Sequence, residues 1–192
     1  MKLETLELIR QLHADVWETR RKITEFAGRT KNPGWPTPNR TDALRFACCE
    51  GAEVVDSVLR MNTDYVRSND EKWVDYEKEC ADTIIMLLTF LGPMFRRAID
   101  NYKDVPDTPD ESVVGASHAD VIYICCGGIL RAWTHTRDQE YAERQTMTLL
   151  AMLLAEPDNQ LGDMCGAVRK VLADKEEKYG KVHLRSPYDD GL

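Results

Sequence analysis

Two acidic pairs sit at helical spacing in this chain, Glu50-x-x-Glu53 and Glu79-x-x-Asp82, and the second runs directly into an apolar stretch that begins at Thr83. A three-residue step puts both carboxylates of a pair on one face of a helix. An ionised carboxylate close to a helical core is costly unless a cation or hydrogen-bond donors compensate it. A hard divalent ion is the natural compensator, so the chemistry these residues suit is an oxygen-only Mg²⁺ or Mn²⁺ site. With 33 acidic residues in 192, one such pair is weak evidence, since solvated acidic helix faces are common. Two pairs on successive helices are more specific, because antiparallel neighbours joined by a short loop bring both to one point.

Other metal chemistries fit less well. Di-iron bundles need Glu-x-x-His ligands, and no histidine follows Glu50, Glu53 or Glu79 at that spacing. His118 has Asp120 close by, but no Ser or Cys nucleophile arrangement accompanies it, so it reads as a surface or capping residue. The six cysteines include the adjacent pairs Cys48-Cys49 and Cys125-Cys126 without C-x-x-C spacing, which points to reduced thiols packed in apolar surroundings.

The elements that must position the carboxylates are helices. Leu6, Ile9, Leu12, Val16, Ile23 and Phe26 recur at three- and four-residue steps or their sums, predicting an amphipathic helix over residues 2–27. A loop over 28–39 follows, with Pro33, Gly34, Trp35, Pro36 and Pro38, where neither helix nor central strand can continue. Asn39, Thr41 or Asp42 can cap the next helix. On that helix Leu44, Ala47, Cys48, Gly51, Val55 and Val58 make one apolar stripe, with Glu50 and Glu53 on another side. A polar connection over 62–70 leads to a third helix carrying Trp73, Tyr76, Cys80, Ile84, Leu87, Leu88 and Leu91, apolar nearly all round beyond Asp82 and therefore expected to be buried.

Residues 100–112, with Pro106, Pro109 and several aspartates, form the clearest internal boundary. Beyond it, 118–136, 139–155 and 161–179 read as three more helices, interrupted by Gly127-Gly128 and by Pro157-Asp158-Asn159. The expected fold class is therefore all-α, a bundle of about five to six helices with the site between the second and third. Residues 1–98 would form the core that carries the metal site. Residues 99–192 would be an additional helical segment packed on the same bundle, giving one domain overall.

Composition bounds the function. A chain of 192 residues with 43% hydrophobic content can bury a real core. Its formal charge of -8 argues against a nucleic-acid polymer as partner. The charged N-terminus and the absence of any apolar run of spanning length predict a soluble, cytoplasmic protein with no membrane partner.

Pro38, Leu44 and Glu50-Gly-Ala-Glu53-Val, followed by Glu79-Cys-Ala-Asp82-Thr-Ile-Ile-Met-Leu-Leu, resemble the E-x-x-E, E-x-x-D signature of the all-α nucleoside triphosphate pyrophosphohydrolases. This is the MazG-like superfamily, which includes dimeric dUTPases and dCTP pyrophosphatases. The resemblance covers residues 6–91, with a weaker echo at Lys175-Glu-Glu-Lys178-Tyr179, similar to the basic and aromatic C-terminal helix that often finishes the family's site; residues 100–160 have no counterpart. It implies a hydrolase acting on acid anhydrides in nucleotide metabolism, cleaving a nucleoside triphosphate between the α and β phosphates to the monophosphate and pyrophosphate. Glu50, Glu53, Glu79 and Asp82 would then be the Mg²⁺ ligands and the catalytic residues. The chain departs from the family at Cys49, where many members carry a second glutamate.

The resemblance further implies a homodimer or homotetramer and a base-recognition role for the first helix and the loop after it. Trp35 and then Trp17 are the candidate stacking residues, although a single Trp in a Pro-rich turn or an amphipathic helix ordinarily serves packing. Lys175, Lys178 and Tyr179 are the candidate phosphate contacts, against the plainer reading of an exposed helix end with charges that suit the helix dipole. Two alternatives stand beside this reading. One is a non-catalytic helical regulatory or interaction protein. The other is an enzyme similar to phosphoribosyl-ATP pyrophosphohydrolase, which shares the all-α fold.

Overall fold

The computed structural model describes residues 3–30, 35, 37–63, 68–102, 118–154 and 163–180. Among the described residues the chain is all-helical, with no strand. The elements are α1 (Leu3–Thr30), α2 (Arg40–Thr63), α3 (Asn69–Leu91), a 3₁₀ turn (Gly92–Met94), α4 (Phe95–Tyr102), α5 (His118–Arg131), a π-helical turn (Ala132–Thr136), α6 (Gln139–Leu154) and α7 (Met164–Gly180). No described helix is long and apolar enough to cross a membrane.

Helix α3 is the axis of the bundle. From Cys80 to Gly92 every residue is buried, and α2, α7, α1 and α6 all pack against it. Its start is set by Ser68, whose hydroxyl accepts from the Glu71 amide at 3.3 Å while the Glu71 carboxylate accepts from the Ser68 amide at 2.8 Å, a reciprocal cap. Its end is set by Gly92, at φ +44°, whose amide closes on the Leu88 carbonyl. That left-handed turn suits glycine and the following Pro93 cannot continue the ladder, so the chain bends through one 3₁₀ turn into α4. Helix α4 was not foreseen: Asp100, placed in the inter-segment boundary by its neighbouring prolines, lies in its last turn.

Helix α2 begins with Asn39, whose side-chain oxygen accepts from the Asp42 amide at 2.9 Å while its amide nitrogen donates to the Asp42 carboxylate at 2.7 Å. Of the three capping candidates, Asn39 takes the role. Helix α1 runs to Thr30, beyond the predicted end at residue 27, because Gly28 alone costs a helix only about 1 kcal/mol. The central part of the loop over 28–39, residues 31–34 and 36, lies outside the described residues. So do most of the boundary over 100–112 and the Pro157-Asp158-Asn159 interruption.

The second half of the chain packs on the first. Helix α5 lies along α2, and a Cβ at Gly51 would meet Ile122 Cγ2 and the Tyr123 backbone at 3.6 Å, an ordinary van der Waals contact. Helix α7 packs between α1 and α3, and one buried cluster includes residues of all seven α-helices.

Candidate metal centre

The short connection between α2 and α3 makes them antiparallel, with Lys72 Nζ donating to the Met61 carbonyl at 3.4 Å near the joined ends. Further along, three of the four predicted carboxylates meet, while Asp82 turns its oxygens to Lys78 and Lys175. Glu50, Glu53 and Glu79 each bring a carboxylate oxygen to a common point, with these atoms within 4.8 Å of one another. Asp82, one turn beyond Glu79, is buried at 4% exposure beside them. Glu53 is exposed and marks the solvent side, while Glu50 and Glu79 are half-buried.

Such crowding has an electrostatic signature. Burial, then repulsion from Asp82, Glu53 and Glu79, pushes the Glu50 carboxyl up from 4.5 to about 7, against a smaller downward pull from Lys78. Burial also raises Glu79, with Lys78 pulling down and Glu53 and Asp82 pushing up. Two lysines offset part of this charge. Lys78 Nζ reaches Glu79 Oε1 at 2.9 Å and Asp82 Oδ2 at 3.5 Å. Lys175 Nζ, from α7, reaches Asp82 Oδ1 at 3.6 Å. Glu79 Oε2 remains buried with no hydrogen-bond partner among the described residues. Four carboxylates against two ammonium groups, with a dry carboxylate oxygen unsatisfied, is a donor set that fits a hard divalent cation.

The other candidate residues distribute unevenly. Lys175 is at the site, on Asp82. Lys178 sits over the Tyr179 ring at 5.3 Å, and Tyr179 packs half-buried against the core. Trp17 donates from Nε1 to His13 Nε2 at 2.9 Å, and His13 stacks on Phe95 at 3.8 Å. Burial lowers His13 to about 4, against an upward pull from the Gly92 carbonyl, so the ring is neutral and accepts from Trp17 at ordinary pH. Trp35 is buried, and the Arg20 guanidinium lies 3.8 Å from its ring centre. The structure thus places Trp17 and Trp35 in packing contacts around α1, with one face of Trp35 covered by a cation. Cys49, at the departure from the signature, is exposed beside Glu50.

Sequence reasoning missed Lys78, although a lysine directly before Glu79 and one turn before Asp82 on a helix has a readable spacing. Comparison with known proteins gives no matching family model, no matching curated protein and no matching solved structure.

Proposed function

We propose that the chain is a Mg²⁺-dependent nucleoside triphosphate pyrophosphohydrolase with a MazG-like architecture. The observation that carries this reading is the convergence of Glu50, Glu53 and Glu79 from two antiparallel helices, with Asp82 buried beside them and Glu79 Oε2 unsatisfied. The resemblance of both acidic pairs to the family signature supports the reaction class. Mg²⁺ or Mn²⁺, when bound, supplies charge neutralisation of the polyphosphate and a more acidic bound water.

The residues themselves have distinct tasks. Glu50, Glu53, Glu79 and Asp82 hold the cation, and a carboxylate not fully engaged accepts the proton of the attacking water. Lys175, half-exposed on α7, and Lys78, exposed on α3, exchange their carboxylate contacts for phosphate oxygens when substrate arrives. Water attacks one phosphorus of the α–β anhydride, the bond from that phosphorus to the bridging oxygen breaks, and monophosphate and pyrophosphate leave.

The deciding experiment is product analysis from a panel of canonical and modified (deoxy)nucleoside triphosphates with Mg²⁺, with phosphoribosyl-ATP included, beside Glu53→Gln and Asp82→Asn. Monophosphate and pyrophosphate released by the wild type and lost in both variants is the expected result. Turnover that survives both variants, or no turnover with any nucleotide, overturns it in favour of a non-catalytic helical protein. Turnover confined to phosphoribosyl-ATP favours the second enzyme reading.

A further inference from the structure

On the α2–α5 side of the bundle lies a hollow of about 420 Å³ lined by Arg45, Gly127, Leu130, Arg131, Thr134 and His135. Two departures from a regular side-chain-bearing α-helix shape it. Gly127 adds no side chain, and nothing stands within 4 Å of where its Cβ would be. The π-helical turn over Ala132–Thr136 then widens the end of α5, a feature that recurs at functional sites because it re-aims side chains.

The turn is anchored from beneath. Trp133 donates from Nε1 to Thr41 Oγ1 at 3.0 Å, lies 4.4 Å from the Arg40 guanidinium and meets Phe90 edge-on. On the other side, Thr134 spends its hydroxyl hydrogen on the Leu130 carbonyl at 2.7 Å. Its oxygen therefore accepts from His135 Nδ1 at 2.7 Å, which holds the imidazole as a wall of the hollow.

The charge here runs against that of the molecule. The chain carries a net -8, yet none of the six lining residues is acidic, and two of them are arginines. Arg45 contacts Asp42 Oδ1 at 2.9 Å, a carboxylate already engaged by Asn39 through its other oxygen. Arg131 has no carboxylate partner among the described residues. A guanidinium fork without a carboxylate, facing the same hollow as a second guanidinium over a floor of Leu130 and Gly127, suits a tetrahedral oxyanion attached to a compact, partly apolar body.

The geometry points to this hollow as a binding site for a small phosphate monoester, built from Arg45, Arg131 and the π-helical turn. It shares no residue with the carboxylate face. The test is an amide NMR titration of the full chain in EDTA, a condition in which the metal-free carboxylates repel phosphates and silence that face. The probes are adenosine 5′-monophosphate, glucose 6-phosphate, inorganic phosphate and adenosine.

The expected result is saturable shifts at Gly127, Arg131 and Thr134 with both esters and none with adenosine. Affinity should fall by at least about tenfold in Arg131→Ala and again in Arg45→Ala/Arg131→Ala, since charge-assisted bonds are of that strength. Both side chains are exposed, so the melting temperature should hold. Absence of saturable shifts at these amides, or shifts unchanged in the double variant, overturns the site. Inorganic phosphate binding as tightly as either ester overturns the role of the apolar floor and hence the ester assignment.

Discussion

Two regions of the bundle bury carboxylates, and they balance them in opposite ways. Glu143, at 1% side-chain exposure on α6, faces one cation, Arg40 Nη2, at 3.0 Å through Oε1, while its Oε2 is buried without a hydrogen-bond partner among the described residues, as Glu79 Oε2 is; the two regions differ in the ratio of charges. That guanidinium lies 4.6 Å from the ring centre of Phe90 and 4.4 Å from that of Trp133, two rings that meet edge-on, and its Nε donates to the Phe90 carbonyl at 2.8 Å. One charge meets one charge at an aromatic corner. At the α2–α3 face, four carboxylates share two lysines, one of them exposed, and burial and mutual repulsion raise Glu50 to about 7. The first arrangement ties α2, α3, the π-helical turn and α6 into one register. The second is a surplus of negative charge that stabilises nothing by itself, which is the pattern expected of a site kept for a ligand.

The contrast can be broken most sharply at Arg40. Arg40→Met leaves Glu143 buried without its cation and should destabilise the fold by about 3–5 kcal/mol, read from urea unfolding. Arg40→Met/Glu143→Leu should recover most of that loss, because an apolar pair can replace a buried ion pair. If Arg40→Met is neutral, the Arg40–Glu143 pair is not a structural clamp.

At the other face the sign reverses. Glu53→Gln should cut turnover by about a hundredfold, roughly 2.7 kcal/mol of transition-state stabilisation. It should also raise the melting temperature in EDTA, since it removes a repulsive charge from an exposed position. A melting temperature that falls instead would mean that the carboxylates support one another through bonds the geometry does not show.

The third difference is in pH. Glu50 titrates near 7 in the folded chain and near 4.5 when free, so its contribution to stability is full below 4.5 and is lost as pH rises through about 7. In EDTA the wild type should therefore lose stability relative to Glu50→Gln across that window, with thermal melts at stepped pH as the measure. Mg²⁺ should abolish the difference by binding the ionised form, with a proton released on binding near pH 7. Parallel melting profiles would remove Glu50 from the coupled cluster.

The smallest effect belongs to the ammonium groups. Lys175→Met should change stability by less than about 1 kcal/mol, because its contact is partly solvated, while raising KM for a triphosphate several-fold with kcat nearly unchanged. Equal loss in both parameters would give Lys175 a transition-state role instead.

The helices were legible because their apolar residues repeat at helical spacing, and α3 beyond Asp82 read as buried for the same reason. The acidic pairs were legible as pairs because each is local in sequence. Arg40 and Glu143 were not, since nothing in sequence joins residues so far apart and both types are common on surfaces. One signal was present: Glu143 falls in phase with Thr146, Met147, Leu150 and Leu154, all buried on α6, so its place in the core could have been read. The aromatic candidates show the opposite limit. Trp35 could be read as an aromatic in a Pro-rich stretch, but its burial against Arg20 is a contact between residues distant in sequence, which spacing does not encode.

Helix α7 carries a consequence for the order in which the molecule is made. Arg169 pairs with Asp15 at 3.1 Å, Lys22 with Glu176 at 3.5 Å, and Lys175 with Asp82 at 3.6 Å, so the last described helix docks onto the earliest one and onto the carboxylate face together. During synthesis all four carboxylates leave the ribosome long before Lys175. A nascent chain halted before α7 holds the acidic cluster without that counter-charge and without the helix that covers α1 and α3. Arrival of α7 is therefore both the closing step of the core and the moment at which Asp82 gains Lys175, which ties completion of the site to completion of translation through residue 180.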